Sequence, residues 1–152
     1  YMERDTGQIK GVDSTKRESR AVLQADAKLV IKEKIMTHGD QYAETNFTVD
    51  LDGENSGVDL ISRSVARGSS HQMFRSVING NTRCTGHSEC DAIIMDKGVV
   101  SAIPELTAND IDAALIHEAA IGKIAGEQLI KLMTLGLTSE EAEAKIVEGF
   151  LK

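Results

Sequence analysis

Two stretches carry residue types that can do chemistry. CTGHSEC spaces Cys84, His87 and Cys90 three apart, and ALIHEAAIGKI sets His117 beside Glu118. Thiolate and imidazole together suit zinc, iron or an iron–sulfur cluster. On an extended strand Cys84 and Cys90 share one face and His87 points away, so the three converge only if Gly86 breaks the strand. A structural site also wants a fourth ligand, for which His71, Glu89 and Asp91 are the candidates. The plainer reading, and the one the residues alone favour, is that both cysteines are small buried hydrophobes.

The second stretch resembles the zincin HExxH run but has Ile121 where the second histidine belongs, which rules that motif out. Along DIDAALIHE, Ile111, Ala113, Leu115 and His117 share one parity, and Asp112, Ala114, Ile116 and Glu118 the other. A strand would therefore put His117 on the more apolar face and Glu118 opposite, where a helix is expected to begin. On residue chemistry alone, Glu118 serves that helix N-terminus and His117 is a hydrogen-bonded core residue. No GxxxxGK[ST] phosphate loop and no GxSxG elbow occurs. An enzymatic reading has no second carboxylate at a defensible spacing to support it.

The elements that must position these residues fall into two regimes. From Arg20 to about Glu118, short β-type segments are punctuated by Gly, Asn and Asp. ETNFTVDL alternates best, with Thr45, Phe47, Val49 and Leu51 on one parity. Many short strands without intervening helices leave a sandwich, a barrel or a β-solenoid. Only 3% of the 152 residues are aromatic and Trp is absent, which tilts the choice toward layers of small aliphatic side chains, a solenoid. From Glu118 onward the apolar residues Ile121, Ile124, Ala125, Leu129, Leu132 and Met133 follow a helical period. Gly136 is placed as a C-terminal glycine cap, and Thr138 with Glu141 forms a capping-box pattern for a second helix that turns Ala142, Ile146 and Phe150 inward. The predicted division is a β region over 1–118, with 1–19 as a frayed end or edge strand, and a helix pair over 119–152.

A net charge of −7 argues against nucleic acid or an anionic membrane as partner. No apolar run has the roughly 18 residues of a membrane span. With two cysteines and no secretory leader at its start, the chain reads as cytoplasmic. It begins with Tyr1, which is expected of a piece of something longer.

From His117 to Phe150 the sequence HEAAIGKIAGEQLIKLMTLGLTSEEAEAKIVEGF resembles the SufB/SufD family of iron–sulfur cluster assembly proteins. The shared order is His-Glu-Ala, a Gly-Lys-Ile step, Gln-Leu, a Leu-Gly-Leu turn opening on Ser-Glu-Glu, and Ile-Val-x-Gly-Phe. GVDLISRSVARGSSH and CDAIIMDKG resemble the preceding β region more loosely. The resemblance implies a right-handed parallel β-helix followed by an antiparallel helix pair. It implies a non-enzymatic scaffold that dimerises with a SufB/SufD-like subunit, the same or different, and docks a SufC-type ABC ATPase through its C-terminal helices. Carried onto those helices, the docking residues are Ile124, Gln128, Leu132, Leu137, Ile146 and Phe150. The implied ligands of transient iron or a nascent cluster are His117 and Glu118, with a partner cysteine nearby. The glutamate after the histidine is the SufB-like choice. One departure is Val99, near where SufB-like members carry the cysteine of a Gly-x-x-Cys-Gly stretch. A second reading is an adaptor of the same ATPase complex that binds neither iron nor cluster.

Overall fold

A computed structural model describes residues 13–152 and the backbone of Met2 and Glu3. The chain winds as a parallel β-solenoid. Strands β1 (Met2–Glu3), β3 (Lys28–Thr37), β5 (Gly57–Ala66), β7 (Cys84–Ile94) and β9 (Ala113–Gly122) form one sheet in that order. Strands β2 (Ser14–Leu23), β4 (Tyr42–Leu51), β6 (His71–Gly80) and β8 (Val99–Ala108) form the other. Every pairing is parallel. From β2 onward successive coils are offset by 28 or 29 residues, as Tyr42 pairs with His71 and His71 with Val99. This is the solenoid, and the parallel β-helix of the family resemblance. Most of the predicted edge over 1–19 lies outside the described residues, but Ser14–Ser19 belong to β2.

The corners explain the punctuation seen in the sequence. Gly39, Gly68 and Asp96 hold equivalent corners of successive coils, and all three have positive φ. Asp26 and Asn55 do the same at the opposite corner, where Asn55 Nδ2 donates to Asp26 Oδ1 at 3.1 Å. These are the residue types that tolerate a left-handed backbone. A side-chain ladder runs up that edge of the stack: Asn109 Nδ2 donates to Asn81 Oδ1 (2.7 Å), and Asn81 Nδ2 to Asp52 Oδ1 (2.6 Å).

Between the sheets the inward residues stack in layers. Leu51, Val58, Leu60, Phe74 and Ile78 form the centre, together with both cysteines. The small aromatic content is spent there: the Phe47 and Phe74 rings pack at 6.0 Å. β4 follows the alternation read from ETNFTVDL, with Thr45, Phe47, Val49 and Leu51 buried.

The helices begin later than the sequence pattern suggested. β9 continues through Glu118 to Gly122, because that segment pairs residue by residue with β7, Ala119 opposite Cys90 and Gly122 opposite Ile93. Pairing with an existing strand outweighs the local helical spacing of AAIGKI. Helix α1 starts only at Gly126 (Gly126–Met133), and Ile121, Ile124 and Ala125 precede it. Gly136 has φ +95° as expected of a cap, and the Thr138–Glu141 capping box opens α2 (Ser139–Phe150). α2 buries Ala142 and Val147, the latter against Val65 and Met95, with Ile93, Ile124, Phe150 and Leu151 closing that second core. No helix among the described residues is long and apolar enough to cross a membrane.

Glycine substitutions separate corners from helix. A Cβ on Gly53 would lie 1.8 Å from the backbone N of Ala25, and rotamers cannot relieve a clash with backbone. Gly149, inside α2, has nothing within 4 Å. Gly53→Ala is expected to destabilise by about 3 kcal/mol. Gly149→Ala should stabilise by roughly 0.5–1 kcal/mol. Urea denaturation of both variants checks the opposite signs.

Candidate functional site

β8 and β9 are the last strands of their sheets, and among the described residues neither has a neighbour on its outer edge. Strict alternation then splits the His117–Glu118 pair. His117 faces the interior in the row Ile31, Leu60, Ser88, His117, and Glu118 faces outward beside Glu89. Two adjacent residues of one strand cannot close on a single ion. The imidazole Nδ1 is buried without a hydrogen-bond partner among the described residues. Its register neighbour Ser88 is engaged elsewhere, with Ser76 Oγ 2.8 Å away on the opposite sheet.

The CTGHSEC constellation does not assemble. β7 runs unbroken from Cys84, so both cysteines point inward and His87 outward. Gly86 leaves the strand intact; it makes room for neighbours, since a Cβ there would meet Leu115 Cδ2 at 2.7 Å and Ile78 Cγ2 at 2.9 Å. Of the candidate fourth ligands, His71 lies on the other sheet, while Glu89 and Asp91 share the outer face with His87.

What the fold does assemble is a cluster across strands. His87 Nε2 lies 3.1 Å from Glu118 Oε2, and its Nδ1 lies 3.5 Å from Asp59 Oδ1 on β5. Ligand atoms of His87, Glu89 and Glu118 all fall within 4.8 Å of one another. A hydrogen bond with Asp91 pushes the Glu89 carboxyl above its usual range, aided by burial, and the Arg63 guanidinium 3.9 Å away opposes it. Sequence reasoning named Glu89 only as a spare ligand and missed Asp59. The 28-residue step from Asp59 to His87 would have exposed their pairing.

The docking residues read onto the helices divide as well. Ile124 and Phe150 pack into the chain's own second core, so their side chains serve the fold. Leu132, Leu137 and Ile146 are half-buried and Gln128 is exposed. On α1 and the turn after it, the large apolar side chains left bare are Ile130, Met133 and Leu135, at 63%, 45% and 74% exposure.

The family model of the SUF system FeS cluster assembly SufBD core domain matches residues 2–150. The chain belongs to the SufBD family. An iron-sulfur cluster assembly SufBD family protein of Archaeoglobus fulgidus is 35% identical over 133 residues, covering 87% of this chain and 36% of that protein. One of Methanothermobacter thermautotrophicus is 37% identical over 114 residues, 74% of this chain and 28% of that protein. One of Pyrococcus horikoshii is 37% identical over 120 residues, 78% of this chain and 27% of that protein. The chain thus spans between about a quarter and somewhat over a third of the length of these three relatives.

Within this SufBD core segment the interior row beside His117 is polar. Glu33, Ser62, Cys90 and Ala119 stand in register, Ser62 Oγ donates to Glu33 Oε1 at 2.7 Å, and the Arg17 guanidinium reaches Glu33 from the facing sheet. Burial raises the Glu33 carboxyl despite these bonds. Burial, with Glu33 and Asp91 adding negative charge, pushes the Cys90 thiol up to about 11. Cys90 is therefore a thiol at neutral pH, with roughly 300-fold less thiolate than an unfolded cysteine near 8.5. Iodoacetamide at about pH 8 should label both cysteines quickly in urea and slowly in the folded chain, by a hundred-fold or more at Cys90. Equal rates by mass spectrometry would contradict that burial.

Proposed function

We propose that this chain is the core segment of a scaffold subunit for iron–sulfur cluster assembly, with the cluster as cargo and no catalytic step of its own. The observation that carries the reading is the end of the solenoid. There, among the described residues, the unpaired edges of β8 and β9 lie beside an inward histidine whose Nδ1 has no partner, in a chain of the SufBD family. Free strand edges are templates for pairing with another chain, and an uncapped solenoid end leaves its last layer half covered. A second SufB/SufD-like subunit, the same or different, fits that end. Dimerisation there would enclose His117 and bring partner groups to it.

In this arrangement His117 offers its imidazole from the inner face of the edge strand, while Glu118 stands on the outer face. Imidazole is a more labile ligand than a full thiolate set, which suits a site that must release what it builds. Cys84 and Cys90 stay inside as thiols. The helices dock a SufC-type ATPase through the bare side chains Ile130, Met133 and Leu135. The adaptor reading keeps both contacts and drops the iron; it is the outcome in which the first test below fails and the second succeeds.

Anaerobic reconstitution with a SufB/SufD-like partner, wild type against His117→Ala, tests the ligand role. Iron retention is expected to fall by at least about ten-fold, and equal retention overturns it. Capture of a SufC-type ATPase by the Ile130→Glu/Leu135→Glu double variant tests docking. Capture should be lost, and undiminished capture refutes this surface.

A further inference from the structure

The cross-strand cluster on the outer face has a geometry that the scaffold reading does not use. We propose that His87, Glu89 and Glu118 form a mononuclear site for a divalent transition-metal ion, bridging β7 to the edge strand β9, with Asp59 as the positioning residue behind His87. The distances lead to this. Ligand atoms about 2.1 Å from an ion at tetrahedral or octahedral angles stand about 3.0–3.4 Å apart. His87 Nε2 and Glu118 Oε2 are 3.1 Å apart. Ligands on opposite sides of such an ion are about 4.2 Å apart. The whole set lies within 4.8 Å, so a carboxylate rotation of under about 1 Å completes it.

The imidazole is also held as a ligand would be. Without an ion, Nε2 is placed to donate to Glu118 Oε2 at 3.1 Å; an ion on Nε2 would replace that proton and leave the Nδ1 proton directed at Asp59 Oδ1, 3.5 Å away. A carboxylate behind a metal-binding histidine is the common means of fixing its tautomer. Three strands contribute, β5, β7 and β9, and each is locked to the next by parallel pairing. The row around the cluster is acidic: Asp59, Glu89, Asp91 and Glu118 face Arg63, whose guanidinium reaches Glu89 only at 3.9 Å. One nitrogen and two carboxylates prefer ions such as Zn2+, Mn2+ or Fe2+ to Mg2+ or Ca2+. The half-exposed face leaves the remaining coordination positions to water.

The site needs neither a partner subunit nor sulfide, so it is tested on this chain alone. Isothermal titration with Zn2+ and separately with Mn2+ should give one saturable site. His87→Ala and Glu89→Gln are expected to weaken it at least ten-fold, and Asp59→Asn by about ten- to a hundred-fold. His71→Ala, on the other sheet, is the control and should bind as wild type. Co2+ titration should give a spectrum without a thiolate charge-transfer band. Absence of a one-to-one site, wild-type affinity in His87→Ala, or a thiolate band would each overturn the proposal. His117→Ala should retain this ion, which separates failure here from failure of the scaffold reading.

Discussion

Coil-on-coil parallel pairing is the constraint from which the rest follows. Each strand from β3 onward copies the register of the strand one coil earlier, so the side of the sheet on which a residue stands is fixed ten residues at a time. Proximity in sequence then loses its meaning for site building. Neighbours such as His117 and Glu118 are placed on opposite faces, while His87 and Glu118, 31 residues apart, meet at 3.1 Å. Even-numbered spacing along a strand and steps of 28 or 29 between strands are the only combinations that converge. A cysteine–histidine run at spacing three satisfies neither rule, and the fold disperses it.

Local signals in the sequence were legible because local physics decides them. The capping box at Thr138 and the left-handed Gly136 depend on a few adjacent residues, and both stand where the sequence placed them. The alternation of β4 was equally plain, since both of its faces have settled environments. The start of α1 was not legible. AAIGKI has helical spacing, yet Ala119, Ala120, Ile121 and Gly122 find partners on β7, a strand some 29 residues away. The coil length itself was written in the corners, in Gly39, Gly68 and Asp96 and in Asp52, Asn81 and Asn109. Aspartate, asparagine and glycine exchange freely at left-handed corners, so the repeat is one of conformation and escapes a search for identical residues. The partners of His87 stayed hidden for the same reason.

The interior shows what the repeat must satisfy. Thr37 and Ser70 hydroxyls meet at 2.8 Å, Gln72 Nε2 donates to Thr37 Oγ1 at 2.8 Å and to Val65 O at 3.0 Å, and Ser76 answers Ser88. Buried polar groups left unpaired cost about 1–3 kcal/mol each, so a polar layer inside a narrow solenoid is tolerable only when it closes on itself. Between two coils the Thr37, Ser70, Gln72, Ser76 and Ser88 groups do close. At the last described coil the row continues to His117, and among the described residues nothing partners Nδ1. An unsatisfied group at the free end of a stack is a different matter from one in its middle, because a docking chain can complete it.

The same end effect bears on the outer face. In a solenoid each coil is stabilised by its neighbours, so a terminal coil has about half the support of an inner one and frays first. Among the described residues β9 is that terminal strand in its sheet, held by β7 on one side alone. A ligand that binds only when β7 and β9 are paired adds RT ln(1 + [L]/Kd) to the folded edge, about 2.7 kcal/mol at a hundred times Kd. That is comparable to a large core substitution. An ion bridging His87 and Glu118 would therefore act first on the strand that presents His117, holding its register and thereby the facing direction of both residues of the pair. The outer cluster and the inner histidine are chemically separate and share one mechanical element, and the stability of that strand is what couples them.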